Sequence, residues 1–160
     1  MSILTIVIES EVKNPILRAR SEEVADILNT EIQNLIEDMQ DTLAIAKNGI
    51  GIAAPQVGRN LRIFVVSSAL GLNQVVFINP VITKISEKAK LMDEGCLSVL
   101  GLYGKIKRAE SLKIEAYNQN GRKFKMKADG LVAQLFQHEI DHLNGILFKD
   151  KAESITNHEL

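Results

Sequence analysis

His138-Glu139-Ile140-Asp141-His142 reads H-E-x-x-H inside the stretch Leu131 to Asn144, whose apolar residues follow a helical spacing. Positions i and i+4 of a helix lie on one face about a turn apart, so His138 and His142 can grip one ion. Glu139 lies about 100° round from His138 and about 60° from His142. The three side chains therefore share one arc, with a carboxylate beside an ion that can activate water. That is the layout of metal-assisted hydrolysis. The chain holds only three histidines, and two are here. Chance would give the pattern about 0.005 times in a chain of this length. The competing reading is a helix with two histidines and no metal.

Asp129-Gly130 opens this helix and Gly145 closes it. Leu131, Val132, Leu135, Phe136, Ile140 and Leu143 fall on several of its faces, which predicts a helix buried at the centre. Upstream, Leu112, Ile114 and Ala116 alternate with polar residues, as do Phe124, Met126 and Ala128 across Asn120-Gly121. This is a hairpin. Arg62 to Val66, Val75 to Ile78 and Val81 to Ile85 read as strands, with Asn79-Pro80 as a break. From Thr30, the residues Ile32, Leu35, Ile36, Met39, Leu43 and Ala46 mark another helix. Thr30 with Gln33 reads as its capping box and Lys47-Asn48-Gly49 as its stop. The pattern predicts one α+β domain over residues 1–160, without linker or repeat. The tail from Lys151 to Leu160 is polar, and His158 reads as a solvated residue.

Composition bounds the function. The chain has 160 residues, enough to bury a core, with 46% hydrophobic and 24% charged residues. A net charge of −1 argues against direct nucleic-acid or membrane-surface binding, although it leaves room for a local basic patch. No apolar run approaches the roughly 20 residues of a membrane span, and the start lacks a secretory pattern. One cysteine excludes an intrachain disulfide. The expected location is the cytoplasm.

A catalytic ion needs a third protein ligand and an open position. Cys96, in Glu94-Gly95-Cys96-Leu97-Ser98, is the leading candidate, and Gly95 allows a close approach of the backbone. Glu94 and Asp93 are alternatives, and either would bring the site nearer to a metalloprotease. A thiolate suits Fe²⁺, Zn²⁺ or Co²⁺ better than Mg²⁺ or Ca²⁺. A second motif, Gly49-Ile50-Gly51-Ile52-Ala53-Ala54-Pro55-Gln56, has few bulky side chains and marks a place where backbone meets a ligand or packs closely. Gln56 reads either as a loop residue or as an amide donor aimed into the site.

These three segments resemble the signature motifs of peptide deformylases: G-x-G-x-A-A-x-Q, E-G-C-L-S and H-E-x-D-H. All are complete and in that order, and the resemblance runs from about Asn14-Pro15-Ile16-Leu17-Arg18 to Asp150. It implies an α+β fold with antiparallel sheets surrounding the helix that carries H-E-x-x-H. It also implies removal of the formyl group from N-formylmethionyl peptides or nascent chains, with Fe²⁺ as the usual ion and Zn²⁺, Ni²⁺ or Co²⁺ as substitutes. Carried over, Cys96, His138 and His142 would be ligands and Glu139 the general acid/base. Gln56 and the Leu97 N–H would hold the oxyanion. Ile50 and Gly51, with Gly95 nearby, would meet the extended substrate, and Ile50, Leu131 and Leu135 would line the methionine pocket. Leu100 and Tyr103 depart from the family pattern, where a proline and an arginine are common, and bear on contacts further along the peptide. The chain shows no C-terminal helix of the kind many bacterial members carry, so ribosome docking through such an element gains no support.

Two other classes compete. An H-E-x-x-H endopeptidase would need room on both sides of the scissile bond and a carboxylate ligand downstream. A binding module with a structural ion would need a fourth protein ligand. The sequence offers neither.

Overall fold

A computed structural model describes residues 2–9 and 15–157. Asn14, where the family resemblance begins, and His158 lie outside the described residues.

The elements are α1 (Thr30–Ile45), β1 (Gly51–Ala53), β2 (Ile63–Val66), β3 (Val76–Ile85), β4 (Ala89–Cys96), β5 (Val99–Ala109), β6 (Ser111–Tyr117), β7 (Lys123–Asp129), α2 (Gly130–Leu143), α3 (Phe148–Lys151) and β8 (Ser154–Asn157). One sheet has five strands in the order β1-β2-β3-β6-β7, the other three in the order β4-β5-β8. Every pairing between these strands is antiparallel. The molecule is thus an α+β fold with antiparallel sheets around α2.

Alternation along β2 shows how the layers form. Ile63 and Val65 pack with Ile36 and Met39 of α1, whereas Phe64 and Val66 pack with Phe136 and Leu143 of α2. Buried on both faces, β2 carries no polar residue at all. Phe64 stacks on Phe77 at 4.6 Å, and Phe136 of α2 closes on Phe77 at 4.8 Å. This aromatic cluster fixes the central helix against the sheet. A smaller core of Val99, Ile106, Leu147 and Phe148 lies under the three-stranded sheet.

Several expectations are revised. Thr30 does not cap α1; the Asn29 side chain accepts the Glu31 N–H at 2.8 Å, and the Gln33 amide instead donates to the Ile27 and Gln119 carbonyls. Asn29, one residue earlier, holds the N-cap position, and its carboxamide oxygen satisfies a free amide of the first turn. Asn79-Pro80 does not separate two strands. It sits in a bulge of β3, between Ile78 and Val81, where Asn79 adopts φ 50° and its side chain bonds both N–H and carbonyl of Val24. Leu131 is not buried: at 55% exposure it stands at the open start of α2. Arg62 precedes β2 and spends its guanidinium on the Leu143 carbonyl at the end of α2. The β4–β5 hairpin has no counterpart among the expected strands, nor does β8, which adds a strand to β5 from the polar tail.

Candidate active site

Residues from three places meet around α2. β4 ends at Cys96, β1 runs through Gly51, and the turn after β1 carries Gln56. Cys96 Sγ lies 3.3 Å from His142 Nε2, and the His142 and His138 Nε2 atoms are 3.1 Å apart. The three donor atoms lie within 4.8 Å of one another. Two imidazole nitrogens facing each other beside a thiol form a set that a single soft divalent ion satisfies, with room for a fourth, non-protein ligand. The donor set therefore fits the ion the motifs imply.

Geometry removes Asp93 and Glu94 as the third ligand. Asp93 is exposed and pairs with Lys105 at 2.8 Å. Glu94 is buried but turned to the far side of His138: its Oε2 accepts from His138 Nδ1 at 2.8 Å, which aims His138 Nε2 at the site. Arg108 clamps the same carboxylate with two bonds, 3.0 Å from Nε and 2.6 Å from Nη2, and reaches Asp141 at 2.7 Å. Lys151 bonds the other Asp141 oxygen at 2.9 Å. Burial raises the Glu94 pKa, but the His138 and Arg108 hydrogen bonds and charges outweigh it, and the carboxyl is held down at about 2.

The histidines respond oppositely to this field. Burial pushes His138 down, yet its bonds to Cys96 and Glu94 and the nearby Glu139 carboxylate hold its proton affinity well above the ordinary value. His142 is pushed well below it by burial and by the charge on His138.

Glu139 is 1% exposed, and burial pushes its carboxyl up to about 7. One of its oxygens, Oε2, has no partner although it is buried. Gly51 makes room for it: a Cβ there would come within 2.9 Å of Glu139 Oε1 and 2.8 Å of Leu135 Cδ1. Gly95 is small for another reason, since a Cβ would strike the Tyr103 ring at 2.8 Å. The Gln56 side chain is fixed by accepting the Ala53 N–H at 2.9 Å, which leaves its amide nitrogen 3.2 Å from Ser98 Oγ and 3.6 Å from Cys96 Sγ.

Gln56, Glu94, Gly95, Cys96, His138 and Glu139 line one cavity of about 470 Å³, whose wall also includes Ile50, Gly51, Leu97, Leu131 and Leu135. The residues named from the motifs are thus brought together, with Ile50 and Leu131 at the exposed rim and Leu135 inside. Sequence alone does not single out Arg108, Gln134 or Ser98. Gln134 bonds the Asp93 carbonyl at 2.9 Å and Glu94 at 3.3 Å. A lone arginine in an alternating strand carries no sequence signal that separates it from a solvated one.

The sequence profile described as polypeptide deformylase matches residues 8–158. The chain is 42% identical over 145 residues to a peptide deformylase of Halothermothrix orenii, covering 91% of this chain and 92% of that one. It superposes on the Thermotoga maritima peptide deformylase crystal structure with a TM-score of 0.87 at 33% identity, covering 96% and 100% of the two chains. A Synechococcus elongatus peptide deformylase, solved in complex with actinonin, gives a TM-score of 0.85 at 38% identity, covering 94% and 79%.

Proposed function

We infer that this chain, which belongs to the polypeptide deformylase family, is a metal-dependent hydrolase that removes the N-formyl group from the formylmethionine of newly made polypeptides. Formate and a free amine are the products. The observation that carries this reading is the convergence of Cys96, His138 and His142 beside the buried Glu139. In this reading Cys96, His138 and His142 hold the ion, Fe²⁺ by preference and Zn²⁺, Ni²⁺ or Co²⁺ as substitutes. A divalent ion there supplies Lewis acidity, which makes water a competent nucleophile near neutral pH.

The protein groups do the rest. Glu139 takes the proton of the attacking water and returns it to the leaving amine, a task suited to a carboxyl whose pKa burial has raised to about 7. The Gln56 amide N–H, pinned by its bond from Ala53, and the Leu97 backbone N–H stabilise charge on the formyl oxygen. Main chain at Ile50 and Gly51, with Gly95 opposite, binds the peptide in extended form, and the methionine side chain occupies the space between Leu131 and Leu135. The residues 1–160 work as one catalytic domain, in the cytoplasm. No helix among the described residues is long and apolar enough to cross a membrane.

Formate release from formyl-Met-Ala-Ser by protein with a full complement of metal tests the reading. Rapid internal peptide cleavage without formate release would replace it with an endopeptidase.

A further inference from the structure

The face of the five-stranded sheet that α1 covers over β1 to β3 continues uncovered over β6 and β7. Leu112, Ile114 and Ala128 point to the other side, into the core under α2. Alternation therefore places Lys113 and Glu115 of β6, and Lys123, Lys125, Lys127 and Asp129 of β7, on the open face. The register pairs Lys84 of β3 with Lys113, and Lys113 with Lys127. Three exposed lysines thus stand directly side by side across three strands, over about 10 Å.

Lys123 and Lys125 share Glu115 as partner, at 4.0 and 3.3 Å. Lys84, Lys113 and Lys127 have no acidic partner among the described residues. Like charges directly opposite one another repel. Lysine on the edge strand β7 protects that edge from pairing with another chain. That account does not reach Lys84 and Lys113, which lie on interior strands. The hairpin 111–129 carries five basic and two acidic residues in a chain of net charge −1, so the remainder is net −4. The charge of this molecule is segregated, which its near-neutral total conceals.

We propose that this lysine-bearing face docks on RNA, with Lys84, Lys113 and Lys127 contacting consecutive backbone phosphates. A polyanion with regularly repeated charge is what an unpaired row of cations fits. RNA is chosen among polyanions because the inferred substrate is a newly made polypeptide, which emerges at the RNA-rich surface of the ribosome; that choice rests on the deformylase reading. Lys127 lies three residues before Gly130, where α2 begins, and Leu131 stands at the cavity rim. The row stands on the sheet face turned away from α2, so docking by it would leave the cavity mouth free for the peptide.

The test follows anisotropy of a fluorescein-labelled single-stranded RNA of about 20 nucleotides and mixed sequence, titrated with metal-loaded enzyme from roughly 50 to 200 mM KCl. Three phosphate contacts give a log–log salt slope near −2, an affinity loss of about 20-fold over that range. The triple variant Lys84→Gln/Lys113→Gln/Lys127→Gln should bind at least about 10-fold more weakly with a slope near zero. It should release formate from formyl-Met-Ala-Ser at the wild-type rate. A control triple of equal charge change, Lys90→Gln/Lys105→Gln/Lys107→Gln, should retain RNA binding. Equal loss in both triples, absence of salt-dependent binding, or tighter lysine-dependent binding to phosphatidylserine vesicles than to RNA would each overturn the proposal. Lysine-dependent RNA binding by a protein that releases no formate would leave this face standing and remove the deformylase reading instead.

Discussion

Glu139 is the residue on which most of the chemistry rests, and its surroundings are unusual for a carboxyl. It is fully buried, faces a glycine and has one oxygen without a partner. Glu139→Gln keeps the shape and removes the proton acceptor, so kcat should fall by about 10²–10⁴ while bound metal and Tm stay at wild-type values. Undiminished turnover would take Glu139 out of its role. Gly51→Ala tests the space around it from the other side. A Cβ at 2.8–2.9 Å from Leu135 and Glu139 must displace the carboxylate, so activity should drop with little change in metal content. Cys96→Ala should instead abolish stoichiometric metal, as read by elemental analysis of anaerobically prepared protein. Metal persisting at one ion per chain would place the third ligand elsewhere. These side chains were legible in the sequence, because i, i+4 spacing on a helix and a lone cysteine beside a glycine both restrict what a residue can do.

Among the secondary-structure elements, α2 is held to the three-stranded sheet by a buried chain of charges from His138 through Glu94 and Arg108 to Asp141. Every member of that chain but Arg108 could be read in advance. Asp141 lies within the helical motif and Glu94 within the cysteine motif, but nothing in the alternating residues of β5 marks Arg108 as their link. The β4–β5 hairpin escapes the sequence pattern for a related reason. Its strands mix buried polar residues such as Glu94 and Arg108 with exposed apolar ones such as Leu91, so the period-2 signal is blurred. Replacing Arg108 with Met removes the cation shared by two buried carboxylates, leaving Glu94 to His138 and Gln134 and Asp141 to Lys151, and should cost about 3–5 kcal/mol in chemical denaturation. A loss under about 1 kcal/mol would show the network to be dispensable. The sign of the acid response follows from Glu94. Its folded pKa of about 2 lies below the ordinary 4.5, so its contribution to stability is complete above about pH 4.5 and is lost as pH falls through about 2. Denaturant midpoints of wild type should decline over that window more steeply than those of Glu94→Gln.

Across the fold as a whole, the class and the central helix followed from periodicity, whereas the second sheet did not, because β8 is built from four exposed residues with no apolar pattern. What that assembly creates is an opening between β1 and the β4–β5 turn, rimmed by Ile50, Leu100, Tyr103 and Leu131. The opening predicts selectivity. A formyl carbon bears only hydrogen, while an acetyl group adds a methyl that must fit among Gln56, Cys96 and Glu139, all packed close to the donor cluster. Exclusion by clash needs no special contact to the preferred group. A buried extra methyl is tolerated poorly when neighbours cannot move, and Gln56 is held at both ends of its amide by Ala53 and Ser98. The values of kcat/KM for formyl-Met-Ala-Ser, acetyl-Met-Ala-Ser and an internally cleavable peptide should therefore fall in that order, the first exceeding the second by at least about 100-fold. Comparable rates on the formyl and acetyl substrates would mean that the site is wider than the Gly51–Glu139–Gln56 geometry allows, and would point to a broader amidase.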